Sequence, residues 1–304
     1  MSKIRMMGVV ILILLMTACE HKVLYYAIPQ YRSLRVTFDW SRIVNHEKPE
    51  GMRVVFFPKN KSEEPWIFDF PYGEGRAIEL PANDYQVVCY NYDINNIGWK
   101  NTDSYKTYTA DSREVQTPDG QQACLTPSWL CGNHIDLVSL KDSPSEQAIT
   151  LVPVNMVSRY TYEVNGLQGT ERIADIRVSL SGMAGGLLMA ENRHTNESSE
   201  TLLFGGMVTG GQVKGGCYTF GWHQSHMEPI IFKLYIKSKW GKMYVLEQDV
   251  SQQVYDVPTM GHLGDVHIIV CCDFEIPNDT GEGSGTGFDV GTDDWTDVNE
   301  DIIF

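Results

Sequence analysis

Between residues 34 and 92, apolar and polar side chains alternate in short bursts interrupted by turn residues. Leu34, Val36, Phe38 and Trp40 alternate with Arg35, Thr37 and Asp39, the two-residue period of a half-buried β-strand. Met52 to Phe57 is a denser apolar run closed by Pro58, and Trp66 to Phe70 alternates again up to Pro71. Ala77 to Leu80 forms a short strand between a turn at Gly73 and Gly75 and the Pro-Ala-Asn-Asp turn at 81–84. Tyr85 to Tyr92 predicts the strongest strand of this half. It places Tyr85, Val87, Cys89 and Asn91 on one face and Gln86, Val88, Tyr90 and Tyr92 on the other. Residues 93–147 are more polar, with a loop rich in Pro, Gln and Gly around 117–128. Only Ile135, Leu137 and Val138 are placed there to close a first sheet. Ala148 to Val154 reads as an edge or linking strand, because Pro153 lacks a ladder donor.

The second half repeats the pattern. Met156 to Val164 alternates in part, and Ile173 to Leu180 sets Ile176, Val178 and Leu180 opposite Asp175, Arg177 and Ser179. The stretch SGMAGGLLMA at 181–190 puts three glycines at a sharp bend, which reads as a β-bulge or a crossing where backbone approaches backbone. No Lys-Ser/Thr and no helical period follow it, so it does not read as a phosphate-cradling loop. Leu202–Val208, Cys217–Trp222, Ile230–Lys237, Met243–Val250 and Val266–Phe274 are further strands, with a tight hairpin at Ser238–Lys242. Short strands separated by turn signals every ten or so residues, with almost no helix signal in the first half, predict an all-β protein built of β-sandwiches.

The two ends depart from this pattern. Lys3 and Arg5 precede the apolar run Val9–Leu15, and the small residues Thr17 and Ala18 stand directly before Cys19, the form of a lipoprotein signal. Glu20, His21 and Lys22 close the run well short of the ~20 apolar residues a membrane span needs. A diacylglycerol thioether on Cys19 anchors a chain in a bilayer, each buried methylene contributing about 0.8 kcal/mol. Residues 19–32 then read as a spacer. From Asn278 the sequence turns to a flexible acidic linker, DTGEGSGTG, and ends in Trp295, Val298, Ile302, Ile303 and Phe304 set among acidic residues. Such a tail is a candidate docking strand.

Composition narrows the chemistry. The 304 residues carry 24 Lys+Arg against 39 Asp+Glu, a net charge of −15, which leaves no basic surplus for nucleic-acid phosphates. Beyond Cys19 there are six cysteines, too few for a dense disulfide framework. Cys124 and Cys131 flank the loop LTPSWL and are the candidate disulfide pair. His223 and His226, in HQSH, and His262 and His267 lack a metal-ligand spacing. Asp289, Asp293, Asp294 and Asp297 lack the alternating pattern and glycine turn that wrap a calcium ion. No carboxylate pair, Gly-x-Ser-x-Gly elbow or cofactor motif is present, so no catalytic residue, metal or cofactor is assigned and the chain reads as a non-enzyme. Trp99, Tyr105, Tyr108 and Trp129 are the aromatic candidates for stacking on sugar rings, with core packing as the competing role.

Several stretches together resemble a known family. LRVTFDWS at 34–41, PEGMRVVFFP at 49–58, YNYDINNI at 90–97, WKNTDSYKTY at 99–108, SLSGMAGGLL at 179–188 and CYTFGWH at 217–223 resemble a family of Bacteroidetes lipoproteins with a domain of unknown function. That family is allied to the fimbrillin-like subunits of type V pili. The resemblance covers nearly the whole mature chain and implies two tandem transthyretin-like β-sandwich domains with a flexible acidic C-terminal tail. The expected boundaries are 1–18 for the signal, 19–32 for the spacer, 33–153 and 154–277 for the sandwiches, and 278–304 for the linker and docking segment. It further implies a lipid-anchored outer-membrane location at the cell surface. The implied partners are other pilus subunits or surface proteins joined by strand addition. Relatives of the pilin type are matured by cleavage after an arginine, for which Arg32 and Arg35 are the candidates. Because Arg35 already sits in a strand pattern, an uncut anchor or accessory subunit fits as well as a stalk subunit. A glycan-binding accessory lipoprotein is the alternative.

Overall fold

The structure is a computed structural model and describes residues 30–44, 48–60, 63–141, 146–195, 199–223, 228–258 and 263–278. The first half supplies β1 (Tyr31–Phe38), β2 (Gly51–Pro58), β3 (Trp66–Pro71), β4 (Arg76–Pro81), β5 (Asp84–Asn91), β6 (Ile97–Lys100), β7 (Thr109–Ser112), β8 (Glu114–Gln116), β9 (Gln122–Leu125), β10 (Cys131–Ser139) and β11 (Gln147–Leu151). The second supplies β12 (Val154–Asn155), β13 (Ser158–Gln168), β14 (Ile173–Met183), β15 (Gly186–Leu188), β16 (Arg193–His194), β17 (Glu200–Gly205), β18 (Met207–Thr209), β19 (Gln212–Thr219), β20 (Ile231–Ser238), β21 (Met243–Asp249), the short helix α1 (Ser251–Tyr255) and β22 (Val266–Glu275).

A three-stranded sheet ordered β11-β1-β4 and a five-stranded sheet ordered β12-β10-β5-β2-β3 share a first core of Leu34, Val36, Val54, Phe56, Leu80, Tyr85 and their neighbours. The alternation from Leu34 arises because β1 buries one face, with Leu34 and Val36 fully enclosed. The denser run at 52–57 has a different cause. Val54 and Phe56 point into this core, whereas Val55 and Phe57, with Val88 and Tyr90 of β5, point into another on the opposite face. Strands covered on both faces lose the period and read as continuous apolar runs.

The second half forms a four-stranded sheet ordered β18-β19-β13-β22 and a six-stranded sheet ordered β21-β20-β14-β17-β9-β8. Their core combines Tyr160, Tyr162 and Val164 of β13 with Val178 and Leu180 of β14, Phe232 and Leu234 of β20, and Val266, Ile268 and Val270 of β22. The strand predicted over Cys217–Trp222 is displaced: β19 runs from Gln212 to Thr219. Gly215 and Gly216 hide its start from the apolar pattern. Gly215 is required because a side chain there would overlap the Tyr162 ring.

The polar stretch after residue 93 joins the halves. Strands β8 and β9 enter the six-stranded sheet through parallel pairing of Cys124 and Leu125 with Leu202 and Leu203. Strands β6 and β7 build a further sheet with the second half, ordered β16-β15-β7-β6, in which Leu187 pairs with Ala110. Beneath it lies a third core containing Val55, Phe57, Tyr90, Tyr108, Met156, Leu187 and Phe220, drawn from both halves. The glycine stretch has the role its pattern suggests. β14 bulges between Leu180 and Met183, with Gly182 at φ +74°. A Cβ on Gly186 would stand 2.8 Å from Asp111 Oδ1 and 3.1 Å from the Ala110 carbonyl oxygen, so glycine eases the close approach of β15 to β7 there.

Candidate functional site

The strand edges and the chain's entry into the fold are the features that bear on assembly. Arg32 and Arg35 both lie in β1, the central strand of its sheet. Arg35 faces outward in an ion pair with Glu146 at 3.1 Å, and its backbone is registered against Ala77 of β4 and Ala148 of β11. Arg32 donates to Gln30 Oε1 at 3.0 Å, and its Nε is buried. Both arginines are therefore held in paired backbone on a strand whose Leu34 and Val36 are locked in the core. Cys19 and the tail residues Trp295, Val298, Ile302, Ile303 and Phe304 lie outside the described residues.

The edges differ in how they end. β22 pairs with β13 on one side, and its other side is covered by side-chain amides rather than by a strand. The Ile269 N–H donates to Gln253 Oε1 at 2.8 Å, and Gln253 Nε2 donates back to the Ile269 carbonyl at 3.0 Å. Next along the strand, the Cys271 N–H donates to Gln248 Oε1 at 3.1 Å. Gln253 is fixed because α1 plants Val254 in the second core, and Tyr255 packs its ring 4.8 Å from that of Trp222 while donating to the Glu228 carbonyl at 2.6 Å. One glutamine amide thus imitates a neighbouring strand. The β3 edge has a different character: it pairs only with β2 and presents Ile67, 57% exposed. An unpaired, partly apolar edge is a template for another extended chain.

The other candidates resolve into structural roles. The disulfide expected between Cys124 and Cys131 is not formed: both are free thiols, Cys124 in the second core and Cys131 in the first. Their short spacing misleads because the chain between them crosses from one sandwich to the other. Burial pushes the Cys124 thiol up to about 12, helped by the Glu200 carboxylate, and pushes Cys131 higher still. His223 contacts the Thr195 carbonyl through Nε2 at 3.2 Å, and His267 Nδ1 lies 2.9 Å from Thr161 Oγ1; His226 and His262 lie outside the described residues. Sequence reading passed over His194, whose Nε2 donates to the Phe220 carbonyl at 2.7 Å and whose ring lies 5.9 Å from that of His223. Burial holds its pKa down, and the neighbouring His223 adds to the effect.

The four aromatic candidates belong to the third core or its margin. Trp99 packs on Tyr90 with ring centroids 4.0 Å apart, and the Tyr90 and Tyr108 hydroxyls share a hydrogen bond of 2.7 Å. Tyr105 donates to Asp136 Oδ1 at 2.8 Å, and Trp129 Nε1 donates to Asn155 Oδ1 at 3.0 Å. Tyr105 and Tyr108 are buried and offer no platform to a sugar, whereas Trp99 and Trp129 are partly buried against the same core.

The fold is shared with a crystal structure of a "putative adhesin" from Bacteroides ovatus, at 19% identity and a TM-score of 0.62, covering 82% of this chain and 95% of the other. It is also shared with the fimbrial anchor protein Mfa2 from Porphyromonas gingivalis, at 14% identity and a TM-score of 0.52, covering 80% and 91%. In sequence, the chain is 24% identical over 175 residues to the "Putative fimbrium anchoring subunit Fim4B" of Bacteroides ovatus, a match over 57% of this chain. The chain spans about half the length of that curated relative, 51%. The family model described as a domain of unknown function, DUF5119, matches residues 18–205, more than half of the chain, and the chain belongs to that family.

Proposed function

We propose that the protein is a non-enzymatic, lipid-anchored outer-membrane subunit of a fimbrium, serving at the cell surface as its anchor or as an accessory adhesive subunit. The observation that carries this reading is the placement of Arg32 and Arg35 inside β1. Proteolysis requires an extended segment free to enter a protease; Arg35 is paired on both sides, against β4 and β11, and Arg32 on one side, against Leu80 of β4, on a strand whose Leu34 and Val36 are in the core. Cleavage after Arg35 would remove Leu34 from the core and cut β1 in two, whereas cleavage after Arg32 would remove the first two residues of β1, which pair with β4. An uncut chain keeps Cys19 and its lipid, as an anchor must. The sequence match to a protein named as a fimbrium anchoring subunit supports the same role.

In this reading the two sandwiches are transthyretin-like domains, and the C-terminal segment 295–304 docks on a neighbouring subunit by strand addition. Main-chain hydrogen bonds would supply affinity, and Trp295, Val298, Ile302, Ile303 and Phe304 would set register. The β3 edge, which has no strand neighbour beyond β2 among the described residues and whose Asp69 carbonyl accepts from Arg76 Nη2 at 3.3 Å, supports acceptance of a strand, whereas the amide-covered β22 edge does not. Intact-mass analysis of protein recovered from its native membrane tests the anchor role. The expected species begins at an acylated Cys19; a free N-terminus after Arg32 or Arg35 overturns it. Deleting 288–304 is expected to leave a folded body that no longer associates with other subunits, and unchanged association overturns strand addition by the tail.

A further inference from the structure

We propose that the cleft beside the first residues of β1 and β3 is a binding site for neutral saccharides. It is lined by Tyr31, Glu63, Glu64, Pro65, Trp66 and Pro81, is open to solvent on one side, and has a volume of about 550 Å³, within the roughly 300–1,000 Å³ range of small-ligand clefts. The rings of Tyr31 and Trp66 stand 6.4 Å apart at 88°, forming a corner with Tyr31 half exposed. A pyranose has an apolar C–H face and a rim of hydroxyls, and the corner supplies an aromatic wall for the first. The carboxylates supply acceptors for the second, since a hydroxyl donating to an ionised carboxylate makes a charge-assisted hydrogen bond.

The lining is built before any ligand arrives. Tyr31 opens β1, where it registers against Pro81 at the end of β4, and Trp66 opens β3 and packs against the first core. Glu63 is held by two neutral amides, Asn60 Nδ2 at 3.0 Å and Asn83 Nδ2 at 3.3 Å, which orient its oxygens. The Tyr85 hydroxyl fixes the Pro81 carbonyl at 2.8 Å. Ligand binding therefore orders few side chains, and little of the contact energy is lost to entropy.

Charge chooses the kind of saccharide. Two carboxylates in the cleft, on a chain of net charge −15, repel uronic acids, sulfated sugars and sialic acids. An organic cation is the competing ligand for an aromatic and acidic cleft. Its attraction to carboxylates open to solvent is screened by salt, whereas stacking on a ring is not. The lining contains no residue of the C-terminal segment, so the assignment stands whether or not the tail assembles by strand addition.

Native affinity electrophoresis of the full chain tests the assignment, in gels cast with amylopectin, xyloglucan, galactomannan, mixed-linkage β-glucan or polygalacturonate. Retardation is expected in at least one neutral gel and not in polygalacturonate. Tyr31→Ala and Glu64→Gln, which leave the core intact, should each weaken that binding at least tenfold with an unchanged melting temperature. Deletion of 288–304 should leave it unaltered. Free mobility in every neutral gel, or retardation that both variants retain, overturns the proposal. So does saturable binding of tetramethylammonium, seen in tryptophan fluorescence, in place of any saccharide.

Discussion

Buried thiols and phenols give individual residues a common effect on stability. Desolvation pushes Cys89 from 9.0 up to about 12 and Tyr235 from 10.0 up to about 12. The same cause moves Tyr85, Tyr105, Tyr108, Tyr160 and Tyr162 higher still. Each folded group keeps its proton at a pH where the unfolded chain has released it. Below about pH 9 both states are protonated and the contribution to stability is whole. Above it the unfolded state sheds protons first, so stability falls as pH rises from 9 toward 12. Urea midpoints measured from pH 8 to 11.5 should hold steady to about 9 and then decline. Phenolate absorbance near 295 nm should rise for the buried tyrosines only as the chain unfolds; a flat midpoint with early phenolate formation would contradict the burial. The unpaired Cys124 and Cys131 belong to this set, where the sequence pointed to a bridge. Only the fold reveals that each thiol has its own core.

At the scale of elements, the covering of β22 by Gln253 makes a local prediction. Gln253→Ala removes both partners of the Ile269 backbone and leaves its N–H and C=O to solvent. The cost to global stability should be small, about 1 kcal/mol, because water can replace the lost bonds at an edge. Amide exchange at Ile269 should accelerate at least tenfold, with Tyr160 and Tyr162 on the far side of β13 unaffected, as hydrogen-exchange mass spectrometry or NMR would register. A newly bare edge should also raise self-association. Nothing in the sequence announces this device, because an edge-covering glutamine is one polar residue among others. The strands themselves were legible where one face is buried: β1 and β3 follow the predicted alternation closely, whereas β5, covered on both faces, was found by its apolar density. Strands β6 to β9 were not, since three or four residues cannot establish a period and their partners lie far along the chain. The candidate cleft was equally hidden: Tyr31 fell in the presumed spacer and Trp66 in an ordinary strand, and pairing of β1 with β4 brings their surroundings together.

For the molecule as a whole, those hidden strands decide how the halves cooperate. Residues 109–125 belong to the first half by position, yet β7 pairs with β15 and β9 pairs with β17 of the second. The hairpin turn after β8 adds a polar anchor, with Asp119 accepting from the Tyr235 hydroxyl at 3.1 Å and lying 3.7 Å from Lys233 Nζ. Opening the second sandwich alone would strip strands from both sheets and expose the third core, including Val55, Phe57 and Tyr90 of the first half. The penalty for partial unfolding is therefore large, and the described body should melt in one transition rather than two. Leu187 is the place to test this, being fully buried in the third core and paired with Ala110. Leu187→Ala should cost about 2–5 kcal/mol through lost contacts and a residual cavity. Calorimetry should show that whole single transition moving down by several degrees, with calorimetric and van't Hoff enthalpies still in agreement. Two separate transitions, only one of them displaced, would mean that the crossing strands tether the sandwiches without coupling them.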